Sequence, residues 1–370
     1  MTAQTAFVCP LSWGLGHASR CIPVIVALQN AGINVIIGGN GRSGKLLRDR
    51  FPEIPFIEAP FRDIRLHKWL PAWASVLTQA PSLLLMVKRE QAFIKQVIET
   101  HKLNFIISDN RYGLHSTSVP SILITHQLRM MHPQPFKPFE WFTEWFVGRL
   151  SRKFTEIWVP DFGGDSNLSG MLSHTSTSNQ QRVRFIGPLS RFSNQEISTR
   201  VVPNKVVVVI SGPDPARQRF EDRVKAEAIK SGKAVTIIGG RPDRTTTDKV
   251  GLLTIHSHLC DKAFAEELTS AEYIITSGGY STIMDIVNLG CCATIIPFKG
   301  QTEQEYLAKK LHNNGQFSAL TLRNLQFESV AKWGISNIER CRKPVYPDST
   351  TMLKEAVENL LNENKNPKHR

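Results

Sequence analysis

No Asp-x-Asp pair occurs anywhere in the 370 residues. The commonest acidic clamp for a divalent metal on a diphosphate is therefore missing, and any such anion has to be met by helix ends and cations. The six cysteines (Cys9, Cys21, Cys260, Cys291, Cys292 and Cys341) include no C-x-x-C pair and no zinc spacing. Several lie in apolar, strand-like runs, and all are expected to be reduced core thiols. The N-terminus lacks a basic leader, and its apolar run Ala6 to Leu11 is broken by Pro10, so no signal peptide is expected. Nor is there an uninterrupted apolar run of membrane-spanning length. The longest, Leu70 to Val87, contains Pro71, Pro81, Gln79, Thr78 and two serines. These absences predict a cytoplasmic protein. No basic stripe interleaved with aromatics forms a nucleic-acid module, so nucleic acid is not an expected partner. No internal repeat is visible beyond two architecturally similar halves.

What is present is charge of one sign. Lys and Arg number 45 against 32 Asp and Glu, a net +13. Such a surface attracts an anionic partner (nucleic acid, an acidic lipid or a phosphorylated substrate), or it reflects only a solubility bias of the host proteome. The hydrophobic share of 41% and charged share of 21% are those of an ordinary folded chain. The length exceeds a single core and predicts two domains. Strands are predicted at Phe7 to Pro10, Ile33 to Ile37, Phe105 to Ser108, Ser121 to Thr125 and Ile157 to Val159, with helical or irregular segments between. That alternation reads as a parallel α/β sheet. Asp161 to Arg182, rich in Gly, Ser, Asn and Thr, reads as a mobile surface loop. A second sheet is predicted to begin at Lys205 to Ile210 and continue at Ala234 to Ile238. Apolar residues at helical spacing from Asp348 to Asn362 predict a closing helix.

Tyr273 to Tyr306, YIITSGGYSTIMDIVNLGCCATIIPFKGQTEQEY, is the most informative stretch. A β-prone run breaks at Ser277, Gly278 and Gly279. A helix then begins near Ser281 or Thr282, stops at Gly290, and leads to a second run ending at Pro297. Glycines let backbone N–H groups approach a ligand, and a helix start offers unpaired donors to an anion such as phosphate. Asp285 either closes a capping box with Thr282 or accepts hydrogen bonds from a ribose diol. Gln301, Thr302, Glu303, Gln304 and Glu305 form a polar cluster suited to sugar hydroxyls at the mouth of a sheet.

The order S-G-G-Y-S-T, then Asp285, then P-F-K-G-Q-T-E-Q-E resembles the donor-site signature of two-domain nucleotide-sugar glycosyltransferases, closest to the family 28, MurG-like type and its uncharacterised relatives. The resemblance spans most of the chain. It departs from the usual pattern in Asp285, where Glu is usual, and in Glu305 and Ala308, where Gln and Asn are common. It implies two Rossmann-like domains with parallel sheets facing a central cleft. Residues 1–185 would be the acceptor domain and 186–347 the donor domain, after a hinge at Phe185 to Leu189. Residues 348–370 would form a helix returning to the first domain. By the same resemblance Ser277, Gly278, Gly279, Tyr280, Ser281 and Thr282 hold the diphosphate, Asp285 the ribose, and Glu303 with Gln304 the sugar. The nucleotide-sugar, with uridine the family preference, is a co-substrate; neither cofactor nor metal is expected.

A first glycine loop, Ser12 to Arg20, follows the first strand, so Gly14 and Gly16 face the diphosphate from the other domain in the same scheme. A dinucleotide fold would need a third glycine where Ser19 stands and an acid where Gly38-Gly39-Asn40-Gly41 follows the second strand. The motif G-L-G-H-A-S-R resembles the family's first loop. There His17 is the candidate general base, with helix packing the plain alternative. Asp109, after a strand, is a second candidate base or a turn residue. Asn110 and His126 are candidate acceptor contacts. Ser211 and Arg217 follow the KVVVVI strand and either meet the departing diphosphate or simply build a turn.

Aromatics lie beside basic residues at His67 to Arg89, with Trp69 and Trp73. They do so again at Arg129 to Lys153, with Phe136, Phe139, Trp141, Phe142, Trp145 and Phe146. They fit either an anionic membrane surface or internal packing. The expectation is an inverting hexosyltransferase acting on a glycan or lipid-linked acceptor, peripheral on the inner face of the plasma membrane. The alternatives are a nucleotide-sugar 2-epimerase of the same architecture and a non-catalytic binder of polyanions or membrane.

Overall fold

A computed structural model describes residues 4–12, 14–61, 80–133, 136–174, 182–193, 199–212, 214–241, 245–328, 330 and 348–365. Trp69, Trp73 and Cys341 lie outside these. The chain divides into two compact units, Met1–Ser190 with Tyr346–Arg370, and Arg191–Val345.

The first unit is a parallel sheet of β1 (Thr5–Pro10), β2 (Asn34–Gly39), β3 (Phe56–Glu58), β4 (Phe105–Asp109), β5 (Ser121–Ile124), β6 (Glu156–Val159) and β7 (Val183–Phe185). Its order is β3-β2-β1-β4-β5-β6-β7. Near-continuous buried runs such as Phe7 to Cys9 and Phe105 to Ile107 mark strands covered on both faces. The covering helices are α1 (Leu15–Asn30), α2 (Gly41–Arg50), α3 (Ala80–His101) and α4 (Glu140–Ser151). On one face Ile94 and Val97 of α3 pack with Phe7, Ile36 and Ile106.

The second unit contains β8 (Val202–Val209), β9 (Val235–Ile238), β10 (Thr247–Val250), β11 (Leu253–His256), β12 (Ala271–Thr276), β13 (Thr294–Ile295) and β14 (Ser318–Ala319). They run in the order β10-β11-β9-β8-β12-β13-β14. Among the described residues only the β10–β11 pair is antiparallel. Its helices are α5 (Ala216–Ser231), α6 (Asp261–Ser270), α7 (Tyr280–Asn288) and α8 (Thr302–Asn313). The last helix, α9 (Ser349–Lys365), buries Leu353, Ala356, Val357 and Leu360 in the first unit and packs on α1.

Among the parallel strands of each sheet the order reverses once, between β1 and β4 and between β8 and β12. Connections leave in opposite directions at such a point and open a crevice at the strand carboxyl ends, the usual ligand site of open α/β sheets.

Three expectations are corrected. Residues 161 to 174, read as mobile from composition, are tied down by the buried Asp161 carboxylate. It accepts from the backbone N–H groups of Phe162, Leu168 and Ser169, each at 2.8 Å, and from Ser169 Oγ at 2.5 Å. Polar residues here satisfy one buried anion rather than solvent. The helix after the glycine turn starts at Tyr280, one residue before Ser281, and Gly279 rather than a hydroxyl residue takes the cap position. Cys9 and Cys21 are buried free thiols as expected, but the free thiol of Cys260 is exposed, that of Cys291 is half-buried, and Cys292 is in a disulfide.

Replacing Asp161 by Ala strands three buried N–H donors, so the first unit should lose about 2–4 kcal/mol of stability. Hydrogen exchange at the Leu168 and Ser169 amides should speed up accordingly. Unchanged exchange would contradict this role.

Candidate active site

In the first unit β1 and β4 run side by side to their ends. Pro10 pairs with Asp109, and Leu11 N–H donates to the Asp109 carbonyl at 2.9 Å. The chain then turns through Gly14 (φ 78°), the cap residue of α1, and no side chain caps the helix there. Gly16 and His17 lie in the first turn. Asp109 is fully buried, and its Oδ1 is 2.5 Å from His17 Nδ1. Arg20, one turn further along α1 and also buried, grips the same carboxylate: Nε donates to Oδ2, and Nη2 donates to Oδ1 at 2.6 Å. Its Nη1 donates to His126 Nδ1 at 3.2 Å, and Nη2 lies 2.8 Å from His17 Nδ1.

A carboxylate only accepts and a guanidinium only donates, so the two neighbours ask opposite things of His17 Nδ1. The shorter, charge-assisted contact with Asp109 decides, which puts the ring proton on Nδ1 and leaves Nε2 as the basic nitrogen. Burial, and then the Arg20 charge, push the His17 imidazole below its ordinary 6.5, with Asp109 opposing. Burial pushes the Asp109 carboxyl up, but Arg20 and His17 together outweigh it and hold the group below its ordinary value. His17 is thus a neutral imidazole at pH 7, 16% exposed, with an ionised carboxylate behind it.

A second buried pair braces these loops. Arg111 donates from Nη1 to Glu90 Oε1 at 3.0 Å, from Nε to the Pro10 carbonyl at 2.8 Å, and from Nη2 to Ser12 Oγ at 2.7 Å. Ser12 bonds Asn40, and Ser43 donates to the Gly14 carbonyl at 2.7 Å. The ends of β1, β2 and β4 are joined to α3 by this one network. Asn110 takes the left-handed conformation (φ 53°) that asparagine tolerates. Its buried Oδ1 has no hydrogen-bond partner among the described residues.

In the second unit the ends of β8 and β12 are stitched by hydroxyls. Ser277 Oγ donates to the Ser211 carbonyl at 3.0 Å and accepts from Ser211 N–H at 3.2 Å, with Ser211 Oγ 2.9 Å away. Gly278 has φ 84°, and a Cβ there would fall 2.6 Å from Ile295 Cγ2. A Cβ on Gly279 would fall 2.9 Å from Ser211 Oγ. Gly278 is thus a position that selects glycine, a Cβ on Gly279 would need the Ser211 hydroxyl to shift, and the two deliver the chain into α7, whose cap has no side-chain acceptor and whose first turn has no acid. Tyr280 is buried there, with Ser281 and Thr282 half-buried. A helix start of this kind suits an anion.

Asp285 is buried on α7. It does not close a capping box with Thr282, because Thr282 is inside the helix and Gly279 is the cap. Its Oδ2 lies 3.6 Å from Arg191 Nε, an ion pair rather than a hydrogen bond. Arg191 also donates to Asp261 Oδ1 at 2.9 Å, and its guanidinium lies over the Phe264 and Phe192 rings. On α8, Gln304 Oε1 accepts from Phe298 N–H at 3.0 Å and Glu305 Oε1 from Gly300 N–H at 2.9 Å. Glu303 and Thr302 share that first turn, half-buried.

The predicted residues therefore gather into two groups. His17, Asp109 and His126 meet through Arg20, while Ser211, Ser277 and Gly279 meet at the other switch point. Arg217 stands apart: its guanidinium is engaged by Asp214, Nη2 to Oδ2 at 2.7 Å and Nε to Oδ1 at 3.3 Å. Sequence reasoning assigned no role to Arg20, Arg191, Arg111 or Glu90. For Arg20 a signal existed, since residues three apart on a helix share a face. For Arg191 and Glu90, no local pattern pointed to their partners. Among the described residues no three His, Cys, Asp or Glu side chains gather as a metal ion would need.

Residues 206–367 match the family model of the glycosyltransferase family 28 C-terminal domain. A protein of Methanosarcina acetivorans, named an uncharacterised glycosyltransferase, is 23% identical over 326 residues, 84% of this chain and 83% of that one. The crystal structure of the calicheamicin glycosyltransferase CalG4 superposes with TM-score 0.65 at 12% identity, covering 98% of this chain and 99% of CalG4. MurG of Acinetobacter baumannii gives 0.57 at 12% identity, with 96% and 99% covered. A Listeria monocytogenes protein named as a UDP-N-acetylglucosamine 2-epimerase gives 0.63 at 12% identity, with 100% and 98% covered. The chain accordingly has the two-domain α/β fold of these glycosyltransferase structures, and its residues 206–367 are similar to a family 28 C-terminal domain.

Proposed function

We propose that the chain transfers a sugar from a nucleotide-diphosphate donor, a UDP-sugar such as UDP-N-acetylglucosamine, to an acceptor hydroxyl with inversion. The observation that carries this reading is the His17 to Asp109 contact at 2.5 Å, a neutral base backed by a buried carboxylate. His17 Nε2 takes the acceptor proton as the acceptor oxygen bonds to the anomeric carbon. The bond from that carbon to the diphosphate oxygen breaks, and the nucleoside diphosphate leaves with the electron pair. Asp109 stabilises the imidazolium that forms. Gly278, Gly279 and the first turn of α7, with Ser211, receive the leaving charge, a role that backbone donors and a helix end perform without a metal. Asp285 holds the ribose, Glu303 and Gln304 the sugar, and Asn110 and His126 the acceptor. Arg217 joins only if it leaves Asp214.

The epimerase alternative is favoured by the likeness to the Listeria protein. It would interconvert donor sugars with no acceptor present.

A lipid-linked or cell-envelope acceptor, met at the inner face of the plasma membrane, is supported by α4. This helix buries Glu140, Thr143 and Ser151 and exposes Trp141 (68%) and Trp145 (54%), with Phe142 stacked on Trp145. Lys137, Arg149, Arg152 and Lys153 are exposed nearby. Aromatic rings flanked by cations suit an anionic interface. No helix among the described residues is long and apolar enough to cross a membrane.

Four outcomes are expected. Calorimetry should show UDP binding that falls about 10- to 100-fold in Asp285→Asn, the worth of a charged hydrogen bond; unaltered binding would remove Asp285 from the site. EDTA should leave UDP affinity within about twofold, since helix ends carry the anion; a collapse of affinity would call for a metal. His17→Ala should lower kcat/KM at least about 100-fold, while the wild-type acidic limb falls below pH 6.5, because His17 works only when neutral and its pKa is depressed. Trp141→Ser with Trp145→Ser should weaken sedimentation with phosphatidylglycerol vesicles about tenfold or more; equal sedimentation would leave the aromatic face without a membrane role.

A further inference from the structure

Arg20 has no substrate role in the mechanism above, yet it is the most heavily engaged cation of the first unit's site. A guanidinium only 2% exposed is costly unless its donors are used. Nε and Nη2 fork onto both oxygens of Asp109, and Nη1 reaches His126 Nδ1. Asp109 Oδ2 is thereby taken by Arg20, and Oδ1 is shared between Arg20 and His17. A carboxylate held in a fork cannot rotate, so only one direction remains in which it can accept from the imidazole. One residue thus links α1, the end of β4 and the segment after β5.

We propose that Arg20 is the positioning residue of this site: by forking Asp109 and bridging to His126 it fixes the orientation of His17 and sets the charge against which His17 takes up a proton. The proposal rests on His17 acting as the base. An Asp–His pair alone goes from −1 to 0 on protonation, but with Arg20 the same step goes from 0 to +1 in a buried setting. The cluster therefore resists keeping the proton, and His17 stays neutral at lower pH and passes the proton on once it has taken it.

The groups facing Arg20 and Asp109 are few. His17 lies on α1 and His126 after β5; Tyr112 and Cys9 are pushed up to about 12 by burial, and the Cys21 thiol is pushed up as well. Glu90 is engaged by Arg111 at 3.0 Å. Burial also pushes the Glu90 carboxyl up, with Arg111 opposing, and His17 is the group whose titration reads the hold of Arg20.

The test is a histidine-labelled NMR titration of the full chain in wild type, Arg20→Gln and Arg20→Lys, with His17→Gln assigning the signal. Beside it run pH profiles of kcat/KM for the same variants, with UDP binding as the check that each is folded. Removing the charge should raise the His17 midpoint by at least about one pH unit. The acidic limb should rise by the same amount, and kcat should fall about 10- to 100-fold with the donor KM within twofold, since the donor is held by the other unit. Arg20→Lys, which keeps the charge but loses the fork, should keep the low midpoint and still lose kcat. An unmoved His17 midpoint in an Arg20→Gln protein that binds UDP normally would overturn the proposal. If Arg20→Gln does not fold, wild-type kcat in Arg20→Lys would overturn it alone. A midpoint that moves while the rate profile does not would leave Arg20's hold on His17 standing and remove His17 as the base.

Discussion

Parallel strands whose connections leave in opposite directions cannot be covered at their carboxyl ends by their own crossovers, and both units place their polar chemistry at such a reversal. In the first unit β1 and β4 bring the start of α1 against Asp109. In the second, β8 and β12 bring Ser211 against Ser277 and the glycine turn. What differs is the charge each reversal can take. The second offers backbone donors and a helix start with no acid in its first turn, and so suits an anion. The first offers an imidazole against an ionised carboxylate, and so suits a proton. A reaction that expels a diphosphate while taking a proton from an alcohol needs both.

The parts legible in sequence were those with short-range signatures. Buried parallel strands announce themselves as runs such as VVVVI and FIIS. The turn S-G-G-Y-S-T announces itself because Gly278 takes φ 84° and leaves no room for a Cβ against Ile295. The parts not legible depend on pairing across long separations. Arg20 and Asp109 are 89 residues apart, and Glu90 reaches Arg111 from another helix. Composition misled at Asp161, where serines and amide groups that look like a solvated loop serve one buried carboxylate. It was neutral at α4, where aromatic residues fit a core or a surface equally, and only the fold shows that the glutamate and threonine face inward.

The buried ionic groups share one logic. Asp109 with Arg20, Glu90 with Arg111, and Asp285 with Arg191 each place a carboxylate against a guanidinium, and at least one partner in each pair ties a strand end or loop to a helix. Such pairs add little net stability over apolar contacts, but breaking one leaves a lone buried charge, which makes the geometry they impose hard to lose. They hold loops at strand ends, where the backbone alone would be least constrained.

The most direct test of the account is a crystal structure of the chain with UDP. The account predicts the diphosphate against the amides of Gly278, Gly279 and the first turn of α7, with the ribose hydroxyls on Asp285. A nucleotide bound elsewhere, or one whose ribose makes no contact with Asp285, would contradict it.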